Sequence, residues 1–489
     1  MMGGHDPQSF LSGAKLLTAT PHARAQAHTT LKILFVGDMH LGVLPRHLPA
    51  ELVRDRRLEP HLLGPAAAWR RVVRAALEHQ VHAVALAGDL VDSRNDLFEA
   101  YGPLEEGCRN LTNAGIPVIA VAGNHDTTVL PRLANLLEDL HLLGPDGTWT
   151  TFDVQGPAGL AARLVGWSFP RPHVETSPLA EAPPSAHPTL PTFGLLHADL
   201  DQATSRYAPV RTAELLSTGY RGWFLGHIHR PDTPRTDGHP FYLGSVVGRH
   251  PGETGARGPV LVELDVAGGL LARRLNLAPL RWENLDVPVG EMEQATEEEL
   301  LPRLLAAVQN HSQELGAALD RTLAVGFRLR LTGVTPLAPQ LRQALERLRA
   351  EAPSLVVDRG DTVLFIDRVT EDLAQPLDLA DLARFPDPAG LLARRILVLE
   401  GGGDPVPGIE DADAERERLL RLGQEAIGTG AIGTGAIGTG AIGTSAQQSA
   451  FQKQGSALAP EEIRQRLVTT GRRALEEILA TKEAGHAAD

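Results

Sequence analysis

At 489 residues the chain is longer than one ordinary domain, and about three are expected. Apolar residues make up 43% of it, enough for real cores. A formal net charge of −14 excludes a general electrostatic attraction to nucleic acid or anionic lipid, so a polyanionic substrate would have to be held by local basic patches and bound metal.

Cys108 is the single cysteine, which excludes an intrachain disulfide and makes a reducing, cytoplasmic home the simplest expectation. No apolar run approaches the roughly 20 residues needed to cross a bilayer, so no membrane association is expected. Residues 1–30 carry no sustained period and are read as a disordered N-terminal extension. Ala23-Arg24-Ala25-Gln26-Ala27 faintly resembles a cleavage site, but Lys15 breaks the apolar stretch before it.

The first strand, Leu31 to Val36, runs into Gly37-Asp38-Met39-His40. In extended backbone residues two apart point to the same side, so Asp38 and His40 project together from a strand end. Trp69, Val72, Val73, Ala76 and Leu77 then recur at helical spacing. The strand Val81 to Ala87 follows and ends at Gly88-Asp89-Leu90-Val91-Asp92. A helix over about 96–113 precedes the apolar run Ile116 to Val121, which delivers Gly123-Asn124-His125-Asp126. An Asn amide oxygen can bind a hard cation, an adjacent His can pass a proton, and an Asp beyond it can orient that His. Alternating strands and helices of this kind are the doubly wound pattern, in which ligands collect at the carboxyl ends of strands.

Leu164 to Trp167 reads as a further strand, 170–191 as a Pro-rich loop, and Thr192 to Leu196 as a strand ending in His197. After a helix near 213–217, Trp223-Phe224-Leu225 leads into Gly226-His227-Ile228-His229, again two ligand-type side chains two apart. Val260 to Val266 and Leu270 to Leu277 read as a strand pair joined through Gly268-Gly269.

Asp38, His40, Asp89, Asn124, His197, His227 and His229 thus offer nitrogen and oxygen donors and no sulfur. They are too many for one tetrahedral zinc and suit two ions sharing a bridging carboxylate. Such a pair can activate a water and stabilise both attacking and leaving oxygens of a phosphoryl group, which makes phosphoester hydrolysis the matching reaction. The mixed imidazole and carboxamide set favours a transition metal such as manganese over calcium or magnesium.

Gly37-Asp38-x-His40, Gly88-Asp89, Gly123-Asn124-His125-Asp126, Leu196-His197 and Gly226-His227-x-His229 resemble the five motifs of the calcineurin-like metallophosphoesterases. Gly88-Asp89-Leu90-Val91-Asp92, Ala114-Gly115-Ile116-Pro117-Val118 and Gly248-Arg249-His250-Pro251-Gly252-Glu253-Thr254-Gly255 are most similar to the DNA repair exonuclease branch, the SbcD and YhaO type. The likeness is strong over 31–280 and loose over 281–400. It implies a four-layer α/β/β/α sandwich with a smaller α/β capping domain and a helical C-terminal tail. By resemblance Asp38, His40, Asp89 and His229 would hold one divalent ion, and Asp89, Asn124, His197 and His227 the second. His125 would protonate the leaving oxygen or stabilise the transition state, steered by Asp126. Some relatives carry a second catalytic His where this chain has Asp92. The family implies a manganese-dependent DNA exonuclease of 3′ to 5′ polarity acting in DNA repair. It also implies an SMC-like ATPase partner of the SbcC or YhaN type, and leaves a homodimer open. The competing readings are a phosphomonoesterase or cyclic-nucleotide phosphodiesterase of the same superfamily, and a non-enzymatic scaffold, which would have no need of an intact ligand set.

The expected domains are therefore the extension 1–30, a nuclease domain 31–280, a capping and DNA-binding domain 281–400, a flexible linker 401–458 and a C-terminal helix 459–489. In the capping domain Thr296 to Glu299 opens a helix with Leu300, Leu304 and Val308 on one face. Phe327 to Leu331 alternates apolar with basic, which places Arg328 and Arg330 on an outer face as candidate phosphate contacts beside Arg249. Thr335-Pro336 opens a helix with Leu337, Leu341, Leu345 and Leu348 inward and Arg342 and Arg349 outward. Strands near 355–358 and 362–367 complete the module. A five-residue repeat begins at Ala426-Ile427-Gly428-Thr429-Gly430 and reads as a tether. The helix beyond it, weakened by Gly471, is expected to find little to pack on in its own chain and to serve the ATPase instead.

Overall fold

The computed structural model describes residues 30–55, 58–92, 97–137, 139–181, 183–202, 204–290, 292, 294–351, 355–401, 405–428 and 459–487. The expectations for 1–29 and for the repeats from 429 to 458 lie outside these residues. The chain forms two compact units, one of Met1–Leu48, Val53–Trp282 and Ala317–Ala324, the other of Pro49–Leu52, Glu283–Gly316 and Val325–Asp489.

In the first unit the main elements run β1 (Thr30–Val36), α1 (Pro65–His79), β2 (Ala83–Leu86), α2 (Leu97–Asn113), β3 (Val118–Ala120), β4 (Leu140–Leu142), β5 (Trp149–Gln155), β6 (Ala161–Trp167), β7 (Thr192–His197), α3 (Thr212–Ser217), β8 (Gly222–Gly226), β9 (Phe241–Tyr242), β10 (Val260–Asp265) and β11 (Leu270–Arg274). Helix α1 starts on Pro65, whose missing N–H costs nothing in a first turn, and buries Trp69, Val72, Val73 and Ala76. It stops where Gln80 turns left-handed and its N–H bonds back to Ala76 and Leu77.

Two sheets form. One has the order β11-β10-β1-β2-β3-β4, with β1 to β4 parallel and β10 and β11 antiparallel. The other runs β5-β6-β7-β8-β9, parallel from β6 onward. Ile33, Phe35, Ala85 and Ile119 of the first sheet pack in one core with Leu164, Phe193, Leu195 and Phe224 of the second. The rings of Phe35 and Phe224 stack with centroids 3.5 Å apart. Behind the second sheet, Val165, Leu196, Trp223 and Leu225 bury against Leu215 of α3 and Tyr220. This is the expected sandwich, and it corrects the doubly wound reading. The order β1-β2-β3-β4 never reverses, so right-handed crossovers put their helices on one face and leave the other for the second sheet.

In the second unit β12 (Leu280–Pro288), α4 (Glu297–Leu315), β13 (Ala324–Val334), α5 (Ala338–Glu351), β14 (Val356–Arg359) and β15 (Thr362–Ala374) precede helices α6 (Pro388–Glu400), α7 (Ala412–Gly428) and α8 (Pro460–Ala487). The sheet order is β12-β13-β15-β14. Thr296 caps α4 by accepting from Glu299 N at 3.3 Å, and Leu300, Leu304 and Val308 are buried as their spacing predicts. Helix α5 buries Leu341, Leu345 and Leu348.

Arg342 departs from its expected outward position. Its guanidinium meets Glu476 of α8 at 2.9 Å and Glu371 of β15 at 3.4 Å, and Glu476 is buried. The C-terminal helix therefore has its own chain to pack on. Leu475 and partly buried Val468, Ile478 and Leu479 join Leu379, Ala383, Ala393 and Ile396 in one cluster. Gly471 is helical all the same, and a Cβ there would lie 3.2 Å from Ile396 Cγ1, so its smallness admits the close contact with α6. Among the described residues no helix is long and apolar enough to cross a membrane.

Candidate metal centre

The parallel strands of both sheets end at one rim, and the loops leaving them make sharp turns. His40, Asp89 and His227 have φ of 51°, 48° and 99°, in the left-handed region that non-glycine residues avoid. Each such residue costs on the order of 1–3 kcal/mol, and such strain gathers at functional sites. The backbone N–H groups of Met39 and His40 both donate to Asp89 O, at 3.1 and 2.9 Å, locking the first loop to the second. Asp38 Oδ1 accepts from His227 N at 3.0 Å, tying the first loop to the last. Gly123 allows the third loop to close in, since a Cβ there would fall 2.2 Å from Asp89 Oδ1.

Each imidazole is oriented by a partner on the nitrogen facing away from the centre. His197 Nδ1 lies 3.0 Å from Ala87 O and His229 Nδ1 lies 2.7 Å from Glu253 Oε1. His227 Nε2 is 3.2 Å from Asp199 Oδ1, and His40 Nδ1 is 2.9 Å from Asp92 Oδ1. Such partners hold the proton on one ring nitrogen and leave the other as a bare lone pair. The bare nitrogens converge. His40 Nε2 and His229 Nε2 are 2.9 Å apart, and Asn124 Oδ1 lies 3.0 Å from His197 Nε2 and 3.2 Å from His227 Nδ1. Asp89 Oδ2 is 3.4 Å from His197 Nε2 and 3.9 Å from His40 Nε2.

Asp38, Asp89 and His197 form one group able to hold an ion, and Asp38, His40 and His229 another. Lone pairs this close, beside carboxylates 0% and 2% exposed, repel unless positive charge lies among them. The donor set therefore fits a dinuclear divalent metal site. Burial holds His40 and His197 below the ordinary imidazole pKa, so both stay neutral and able to ligate near neutrality. Burial would also lower His227, but the Asp199 carboxylate carries it above its usual value. Burial would raise Asp89, yet His197, His40 and His125 together hold it below the usual carboxylate range.

His125 stands at the rim, exposed, with its ring 5.2 Å from that of His40. Asp126 does not steer it as expected. The Asp126 carboxylate accepts from Gly123 N at 2.8 Å and Leu90 N at 2.7 Å, pinning the third loop to the second, while His125 Nδ1 turns to Asp92 O at 2.8 Å. Burial explains the difference, because a fully enclosed carboxylate takes the backbone donors nearest to it.

Of the three arginines, Arg249 lies beside the cluster, 3.1 Å from Asp92 Oδ1. Arg328 and Arg330 lie in the second unit, facing Asp367 at 2.8 Å and Asp286 at 2.6 Å. Asp199, which orients His227, was not singled out from the sequence, and Glu253, which orients His229, was quoted only within the Gly248 to Gly255 stretch with no role given to it. The one available signal for Asp199 is its place two residues after His197.

A sulfur-free cluster of buried carboxylates and oriented imidazoles at converging strand ends defines the class of metal-dependent phosphoester hydrolases. Residues 31–231 match the calcineurin-like phosphoesterase family and 282–374 the middle domain of metallophosphoesterase YhaO. Residues 31–231 thus carry a calcineurin-like phosphoesterase domain and 282–374 a domain like the YhaO middle domain, the combination expected from the resemblance to the SbcD and YhaO type. It is 28% identical over 287 residues to the uncharacterized metallophosphoesterase YhaO of Bacillus subtilis, a match covering 55% of this chain and 65% of that protein. It is also 28% identical over 375 residues to the DNA double-strand break repair protein Mre11 of Haloferax volcanii, covering 75% of this chain and 73% of that one. Over 96 residues it is 38% identical to the Mre11 of Aeropyrum pernix, 20% of this chain and 21% of that one.

Proposed function

We propose that this protein is a manganese-dependent DNA exonuclease of 3′ to 5′ polarity that acts in DNA repair. The observation that carries the reading is the convergence of Asp38, His40, Asp89, Asn124, His197, His227 and His229 with an exposed His125 on the same rim. Asp38, His40, Asp89 and His229 would hold one ion, and Asp89, Asn124, His197 and His227 the other. Such a pair supplies charge neutralisation to the phosphodiester and an activated water as nucleophile.

The rest falls to this chain's own groups. With Nδ1 donating to Asp92 O, a protonated His125 has Nε2–H free to give its proton to the departing 3′ oxygen. Asp126 fixes the loop that carries His125 rather than its ring. Arg249, beside the cluster, would meet substrate phosphate, and Arg328 and Arg330 of the second unit take a secondary part in this reading; all three would have to leave carboxylate partners to do so. DNA as substrate is supported by the likeness to Mre11, named as a DNA double-strand break repair protein. Residues 281–400 act as the DNA-binding cap, and the helices after 401 receive an SMC-like ATPase in the cytoplasm.

The deciding assay offers labelled duplex DNA and a nitrophenyl phosphate diester to the purified protein with manganese, beside Asn124→Ala and His125→Ala variants. Digestion of DNA from its 3′ ends by the wild type is expected. Asn124→Ala should lose metal, and His125→Ala should keep metal but lose turnover. Cleavage of the small ester alone would replace this reading with the phosphomonoesterase or cyclic-nucleotide phosphodiesterase one.

A further inference from the structure

Asp92 ends the second strand-end motif and is not a proposed metal ligand, yet it reaches His40, His125 and Arg249 at the rim. Its backbone carbonyl takes His125 Nδ1 at 2.8 Å. Its carboxylate Oδ1 lies 2.9 Å from His40 Nδ1 and 3.1 Å from Arg249 Nη1. The residue is well anchored, since Leu41 and Val91 bridge in parallel and Asp92 N donates to Leu41 O at 3.4 Å. Arg249 is anchored too, its N–H donating to Glu253 Oε2 at 2.8 Å, and Glu253 Oε1 meets His229 Nδ1 at 2.7 Å. A single polar chain, Asp92, Arg249 and Glu253, therefore runs behind both imidazoles whose Nε2 atoms face each other.

We propose that Asp92 is a positioning residue whose two halves do separate work: its carboxylate aims His40 at the metal, and its main-chain carbonyl sets the tautomer of His125. The inference rests on the two-metal reading of the cluster. A carboxylate oxygen 2.9 Å from Nδ1 sits behind the His40 ring while Nε2 points inward, and partners of this kind typically contribute about 10–100-fold to metal affinity. The same logic at His125 uses a carbonyl that no side-chain substitution removes. A carboxylate paired directly with the proton donor is the arrangement this geometry disfavours, because His125 Nδ1 meets main chain while Oδ1 faces His40.

The test compares the full-length wild type with Asp92→Ala and Asp92→Asn by calorimetric titration of manganese into metal-stripped protein. Hydrolysis of phosphodiesters with good and poor leaving groups runs alongside, with His125→Ala as reference. In Asp92→Ala one of the two manganese sites should weaken by about 10–100-fold. Asp92→Asn, which keeps an oxygen within reach of His40 Nδ1, should recover most of that loss. The ratio of rates on good and poor leaving groups should stay at the wild-type value in both, because the carbonyl remains. His125→Ala should lose the poor leaving group selectively. Unchanged manganese affinity in Asp92→Ala overturns the proposal. So does the leaving-group pattern of His125→Ala appearing in Asp92→Ala, which would put the carboxylate on the proton donor. If melting of the stripped Asp92→Ala protein shows that it does not fold, Asp92→Leu, of larger volume and equally without an acceptor, takes its place. A wild type that binds fewer than two manganese ions would instead sink the underlying two-metal reading, and is distinguished by its stoichiometry.

Discussion

Single atoms decide how near the loops can come. Gly123 admits Asp89 because it has no Cβ, whereas Gly115, at φ 74°, has nothing within 4 Å of where a Cβ would be. A Cβ at Gly123 would also fall 2.6 Å from the Asp89 backbone nitrogen, so Gly123→Ala should displace the Asp89 loop, costing stability as well as metal affinity on the order of 10–100-fold. Gly115→Ala should lose about 1 kcal/mol from its left-handed backbone while metal binding is unaffected. Manganese titration and melting of both variants check the pair, and equal metal affinity in the two would disprove the role given to Gly123. Cys108 makes a second case. Burial pushes its thiol up to about 12 from 9.0, so the folded protein carries it as the unreactive thiol. The sign follows from linkage: any stability owed to the buried neutral form is complete below about pH 9, the unfolded value, and is lost between there and about 12. Iodoacetamide at pH 8 should leave the folded chain unlabelled and label it fully in denaturant. Rapid labelling under native conditions would show that the helix α2 opens readily.

At the scale of elements, what the sequence reveals depends on whether the cause is local. The strand ends with their Gly-Asp, Gly-Asn-His and Gly-His-x-His sequences are legible because each is an apolar run cut by a glycine, and the helices α1, α4 and α5 are legible from the period of Trp69 to Ala76, Leu300 to Val308 and Leu341 to Leu348. The order of strands in a sheet is not written in any one of them, so alternating strands and helices alone read as the doubly wound pattern, while the two stacked sheets are expected only from the resemblance carried by the strand-end motifs. The same limit hid the roles of Asp199 and Glu253, whose meaning appears only when a loop places them behind His227 and His229. It also misdirected Arg342 and α8. Helical spacing says that one face of α8 is apolar but not that Ile396 and Glu371 lie opposite it. If α8 is held as the structure shows, Leu475→Ala should remove a fully buried side chain at a cost of about 2–5 kcal/mol. Glu476→Ala should cost a similar amount by leaving Arg342 without its closest carboxylate. Hydrogen exchange of α6 and α8 should rise together in both variants, while an unchanged α6 would mean that the two helices do not depend on each other.

For the whole molecule, the two compact units have separate hydrophobic clusters, the paired-sheet core around Phe35 and Phe224 in one and the helix cluster around Ile396 and Leu475 in the other. A unit with its own core can unfold as its own cooperative step. Every proposed metal ligand belongs to the first unit and none to the second. A ligand that binds only the folded form stabilises what it binds, by about 2.7 kcal/mol at a hundred times its dissociation constant. Calorimetric scans of the full chain should therefore show two transitions, of which manganese raises one and leaves the other in place. Leu475→Ala should shift only the transition that manganese does not move. Asn124→Ala should abolish the manganese shift while leaving both transitions of the stripped protein near their wild-type temperatures. A single transition that rises as a whole with manganese would mean instead that the two cores unfold as one, and that removing metal loosens the C-terminal helices together with the site.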